Sequence, residues 1–201
     1  MLTEFFGAST LEAILLTFKL AFITSGLLLL IALPLAWFLA NWQSKAKPLV
    51  MSILALPLVL PPTVLGFYLL IAFSPQSALG QGWQSLTGSN LAFSFEGLVL
   101  GSVISAFEAF IKIVLPLSKA PIVVALGLSF AHTIGEFGVV LMIGGNIPGE
   151  TQVLSIALYE QVEALEYNSA HNLALTLLIF SFVMLAALYR FNGVTRSDEA
   201  R

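Results

Sequence analysis

The run LAFITSGLLLLIALPLAWFLA, from Leu20 to Ala40, contains no charged side chain. A helix needs roughly 20 apolar residues to cross the hydrocarbon core of a bilayer, and this run supplies them. Lys19 closes it on one side and Pro34 interrupts its later half. A secretory leader carries positive charge ahead of its apolar stretch. Met1 to Phe18 holds Glu4 and Glu12 and no Lys or Arg, so the segment is expected to stay as a membrane span.

The rest of the chain has the same character. Hydrophobic residues make up 58% of its 201 residues and charged residues 9%. Mean hydropathy is +0.97. A soluble domain carries about 25% charged residues, so a water-facing surface cannot be built here and most of the outside must face lipid. No cysteine is present, which excludes disulfides and thiolate metal sites. The net charge of −3, with no basic cluster, argues against a nucleic-acid partner. No cofactor is expected, and the length suits a single domain without an ATPase of its own.

An all-α membrane domain over residues 1–201 is expected, with about five spans near 17–40, 49–73, 97–117, 121–143 and 171–190. Ser74 to Glu96 is polar, contains Gly80, Gly82, Gly88 and Pro75, and reads as a loop. Gly144 to Asn172 separates the last two spans. Within it Glu160, Glu163 and Glu166 recur every third residue, which suggests a short helix lying on the surface.

Basic residues set the orientation. Lys45 and Lys47 lie in the first loop, Lys112 and Lys119 between the third and fourth spans, and Arg190, Arg196 and Arg201 in the tail. The two opposite loops have no Lys or Arg. Positive charge stays inside, so the N-terminus is expected outside and the C-terminus in the cytoplasm. Trp37 and Trp42 flank the first inner loop, as interfacial anchors do.

Three features carry possible chemistry. Pro57, Pro61 and Pro62 crowd one span beside Thr63 and Gly66. Each proline removes a backbone donor, and broken backbone at membrane depth persists only inside protein or along a wet cavity. The segment reads as a kinked gate lining a path, or as a kink that shapes packing. His132 and Glu136 share a helix face four residues apart, inside a span where ionisable groups are costly. They suit a proton relay, an internal pair orienting two helices, or, less well, half a metal site. Gly135 and Gly138 flank Glu136 and let another backbone come close. A carboxylate is a poor ligand for an anion, so Glu136 on a path would be neutralised or would hold a gate partner. Finally, Gly144, Gly145, Asn146 and Gly149 end the fourth span in an outer loop with exposed amides.

These residues bring a resemblance into view. LALPLVLPPTVLGFYLL (Leu54 to Leu70), LAFSFEG (Leu91 to Gly97) and AHTIGEFGVVLMIGGNIPGETQVLSIALYEQVE (Ala131 to Glu163) resemble segments of molybdate permeases. Those permeases are the membrane subunits of binding-protein-dependent type I ABC importers. Sulfate permeases share the layout, but GEFG followed by GGNIPGETQ is closer to the molybdate branch. The resemblance implies a homodimer with one pathway in the inner membrane, two cytoplasmic ATP-binding subunits and a periplasmic molybdate-binding protein. Transport would proceed by alternating access, with no catalysis by this subunit. Pro57, Pro61, Pro62, Thr63, Gly66, Gly135, Glu136 and Gly138 are the expected path and gate residues.

The chain departs from that family in one place. Such permeases carry a cytoplasmic coupling loop with an EAA pattern, then a Gly, then I-x-L-P, whose helix slots into the ATPase. Ile113-Val-Leu-Pro116 resembles its tail, and Glu108 and Ala109 a remnant of its start. Glu108, Ala109, Leu115 and Pro116 are the expected coupling remnant. The body of the loop is missing.

Overall fold

The computed structural model describes residues 8–44, 46–47, 49–50, 61–114 and 119–198. Among these residues the regular structure is helical throughout. Helix α1 runs Ala8–Asn41 and continues through Pro34. At 1.5 Å per residue its 34 residues reach about 51 Å, longer than the hydrocarbon core. Then follow α2 (Pro62–Phe73), α3 (Ala78–Thr87), α4 (Phe95–Val114), α5 (Lys119–Gly135), α6 (Gly138–Gly144), α7 (Leu154–Glu163) and α8 (Tyr167–Asp198).

Among the described residues only α1 has a stretch long and apolar enough to cross by itself, Ser9–Ile31. Two further pairs qualify when each is taken as one bent span. These are α2 with α3, bent by 59°, and Leu126–Gly135 with α6, bent by 60°. By length and composition the described residues therefore offer one crossing helix, or up to three.

The expected elements change in four places. Within the expected second span the helix α2 begins at Pro62, and Pro57 lies outside the described residues. The stretch from Ser74 to Glu96 is not a plain loop, because it contains α3. Its glycines suggested a loop, yet the caps are those of a helix. Ser77 Oγ accepts from the Gly80 N–H at 2.9 Å, and Gly88 closes the other end with φ +76°. The fourth span is broken at Glu136 and Phe137. The helix of the last long loop is α7, and it is not simply a surface helix. Leu154, Ser155, Ile156 and Ala157 in its first turn are buried, and only its later half is exposed.

Packing holds the helices on both sides of the break. Helix α1 lies against α4 and α5, which also pack on each other. Leu20 and Leu28 of α1 meet Leu98, Val99, Val103 and Ala106 of α4 in the largest buried cluster. A second cluster joins Leu65 and Phe73 of α2 to Val139 and Ile143 of α6. Lys19 places its Nζ 4.3 Å from the centre of the Phe95 ring, a cation–π contact between α1 and the start of α4. Phe22, Leu30, Trp37 and Phe182 stay exposed, an apolar outside suited to lipid rather than water.

Candidate functional site

Helix α5 stops at Gly135 and α6 starts at Gly138, so two residues form the break. Phe137 leaves the helical region with φ −120° and ψ −52°. Helix α6 then restarts, with Leu141 N–H donating to the Phe137 carbonyl at 2.9 Å. A helix start leaves backbone N–H groups without partners. Glu136 supplies one, because its Oε1 accepts from the Val139 N–H at 3.3 Å.

The other carboxylate oxygen is also occupied. Oε2 lies 3.0 Å from His132 Nε2 and accepts from the Ser105 hydroxyl of α4 at 3.1 Å. Ser105 Oγ also sits 3.3 Å from His132 Nε2. The Ser155 hydroxyl of α7 donates to the Glu136 backbone carbonyl at 2.7 Å. One residue at the break thus draws groups from α4, α5, α6 and α7. Glu136 is buried, its side chain 5% exposed, whereas that of His132 is 46% exposed. A buried carboxylate is tolerated where its oxygens are hydrogen-bonded, and both of these are.

A cavity of about 360 Å³ opens at the break. It is lined by Pro62, Thr63, His132, Gly135, Glu136, Phe137 and Gly138. Of the expected path residues the structure thus gathers Pro62, Thr63, Gly135, Glu136 and Gly138 around one space. Pro61 lies just outside as the N-cap of α2, and Pro62 is its first residue. Among the described residues both therefore stand at a helix start rather than inside one. Proline at the first helical position removes a donor that had no partner anyway. Gly66 does not line the cavity. It lets α2 approach α6, since a Cβ there would stand 2.7 Å from the Met142 Cβ.

The remaining expected sites lie elsewhere. Gly144 is the last residue of α6, and Gly145, Asn146 and Gly149 follow it. Gly145 and Gly149 take φ of +64° and +79°, which favours glycine. The Thr151 hydroxyl ties this loop by donating to the Gly144 carbonyl at 2.7 Å and accepting from the Ile147 N–H. Glu108 and Ala109 fall in the last turns of α4, and Leu115 and Pro116 lie outside the described residues. Sequence reasoning missed Ser105 and Ser155. Ser105 follows Gly101 and Ser102 on α4, and such small and polar residues in an apolar run mark a helix–helix contact. Among the described residues no group of three or more His, Cys, Asp or Glu could hold a metal ion.

With this geometry in place, the comparisons are specific. Residues 98–194 match the family described as binding-protein-dependent transport system inner membrane component. The chain is 44% identical over 209 positions to the molybdenum transport system permease protein ModB of Azotobacter vinelandii, covering 89% of this chain and 92% of that protein. It is 31% identical over 186 positions to the Escherichia coli K12 ModB, covering 76% and 80%. The sulfate transport system permease protein CysT of Escherichia coli K12 is 24% identical over 198 positions, covering 84% and 71%. The 209 positions exceed the 201 residues of the chain, so the Azotobacter relative has residues with no counterpart here.

Proposed function

The chain belongs to the family of binding-protein-dependent transport system inner membrane components, and from that premise we propose that it is the membrane-spanning subunit of a molybdate importer. One observation carries the substrate: 44% identity across nearly the whole length of a molybdenum permease, against 24% to a sulfate permease. The chain is a transport subunit of the inner membrane rather than an enzyme. Its basic residues support an outer N-terminus and a cytoplasmic C-terminus. Two copies would form one pathway, fed by a periplasmic binding protein and driven by separate cytoplasmic ATP-binding subunits. Sulfate and tungstate are the competing cargoes.

The mechanism follows from the break. Alternating access needs an element with two arrangements that its partners favour differently. The junction of α5 and α6 suits this, because it is bent, is gripped by α4 and α7, and faces α2 across a cavity. The test is uptake of labelled molybdate by cells that lack their own permease and express this chain with its partner subunits. Uptake that excess sulfate abolishes and excess molybdate does not would sink the molybdate assignment.

A second reading rests on the missing residues. Only residues 115–118 join α4 to α5, where the family's coupling loop is expected. On this reading the chain is a shortened permease that inserts and assembles but does not couple to an ATPase.

A further inference from the structure

A carboxylate in an anion pathway is a contradiction, because like charges repel strongly where water is scarce. The geometry removes it by turning the Glu136 charge inward, onto Ser105, His132 Nε2 and the Val139 N–H. The ionisable side chain left half exposed at the cavity is His132. With Nε2 held, the other ring nitrogen is Nδ1, which has no hydrogen-bond partner among the described residues. An imidazole donating through Nε2 carries a lone pair at Nδ1 unless it takes a second proton. With that proton it becomes a cationic donor, which an oxyanion binds well.

We propose that His132 is the residue that meets the oxyanion in this chain. Binding draws a proton from solution onto Nδ1, and the Nδ1–H then donates to an oxygen of the anion. Glu136 and Ser105 are positioning residues that hold Nε2. The Thr63 hydroxyl, on the α2 wall of the same cavity, adds a neutral donor. The groups near the ring are Pro62 and Thr63 from α2, Ser105 from α4, Gly138 from α6 and, behind the break, Ser155 from α7. Glu136 is the charged one among them, while the side chains of residues 108–125 lie outside the description. The proposal rests on the reading of the chain as an oxyanion permease and names the contact that reading lacks.

The chain has two histidines, and His171 near the exposed start of α8 is an internal control. The full chain, labelled with nitrogen-15 at histidine and held in lipid nanodiscs at neutral pH, is titrated with sodium molybdate at constant ionic strength. The His132 signal is expected to move toward its imidazolium position while the His171 signal stays. In Glu136→Gln the displacement should fall by half or more, because the amide holds Nε2 less firmly than the carboxylate does. A His132 signal that stays, or that moves no more than that of His171, overturns the proposal. Equilibrium binding of labelled molybdate to the same nanodiscs separates the two levels. Binding with a stationary His132 removes the proposal alone, and no binding removes the oxyanion reading with it.

Discussion

Pro62 and Gly138 touch so closely that a Cβ built on Gly138 would stand 2.7 Å from the Pro62 Cβ. The same Cβ would lie 3.3 Å from the Thr63 nitrogen, so backbone as well as side chain would have to move. Gly138→Ala should therefore push α2 off α6, at about 1–3 kcal/mol for an overpacked contact. Gly135→Ala is the control, since nothing lies within 4 Å of a Cβ there, and it should change stability by about 0.5 kcal/mol or less. Thermal unfolding of the two purified variants in one detergent decides it. Equal midpoints would show that the close approach is not needed.

The prolines at the start of α2 give a second test. Pro62 occupies the first helical position and Pro61 the N-cap, so replacing both with Ala breaks no helix. The double variant should insert normally and unfold within about 1 kcal/mol of the parent. Pro62 lines the cavity, and the pair fixes how the chain enters it, so transport should fall. Normal uptake at normal expression would leave the prolines with a packing role only.

Thr17 tests the tie between α1 and α7. It is buried, its hydroxyl donates to the Ala13 carbonyl at 2.6 Å, and it accepts from the Leu154 N–H at 2.7 Å. Thr17→Val keeps the shape and strands that N–H, which should cost about 1–3 kcal/mol. Thr17→Ser should recover most of the loss. If Val and Ser variants unfold together, the hydroxyl contributes little.

Topology is checked by cysteine labelling in a chain that has no cysteine of its own. Ser155 would be a poor outer probe, because it is buried and bonded to the Glu136 carbonyl. Ser85 and Ser169 are exposed and should label from outside, and Ser44 from the cytoplasm. Ser44 and Ser85 labelling from the same side would rule out the orientation drawn from the basic residues.

The membrane class and the main helices were legible because apolar runs and sparse charge report directly on solvent. Glu136 was legible as special because an ionisable group is costly inside a span, Pro62 because it lacks a backbone donor, and Gly135 and Gly138 because they let another backbone come close. That they surround one cavity was not, since Pro62 and Gly138 are far apart in sequence and only packing of α2 on α6 brings them together. Ser105 failed to register for the same reason, because its partners are His132 on the next helix and Glu136 in the break that follows it. Helix α3 was lost for a local reason. Its glycines outweighed the Ser77 and Gly88 caps, and its amphipathic pattern spans only Ala78–Thr87.

Coupling to an ATPase is the step that the proposed shortening of the loop would impair. A change of state passes between subunits only through an element that both grip and that differs between the states. Helix α4 runs unbroken to Val114 and α5 begins at Lys119, so residues 115–118 are all that remains between them. The Azotobacter relative carries residues that this chain lacks. Tagged chain in detergent should therefore retain a co-expressed ATP-binding subunit weakly, and should not support ATP-driven uptake. The structure also dictates where a coupling loop has to go. An insertion between Ser105 and Ile111 would cut α4 just beyond the hydroxyl that holds Glu136. One placed between Val114 and Lys119 leaves α4, Ser105 and the break intact. Inserting the relative's loop there should raise ATPase retention at least tenfold and restore uptake. Strong retention by the parent chain would show that Glu108, Ala109 and residues 115–118 suffice as a docking element, and that the loss is tolerated.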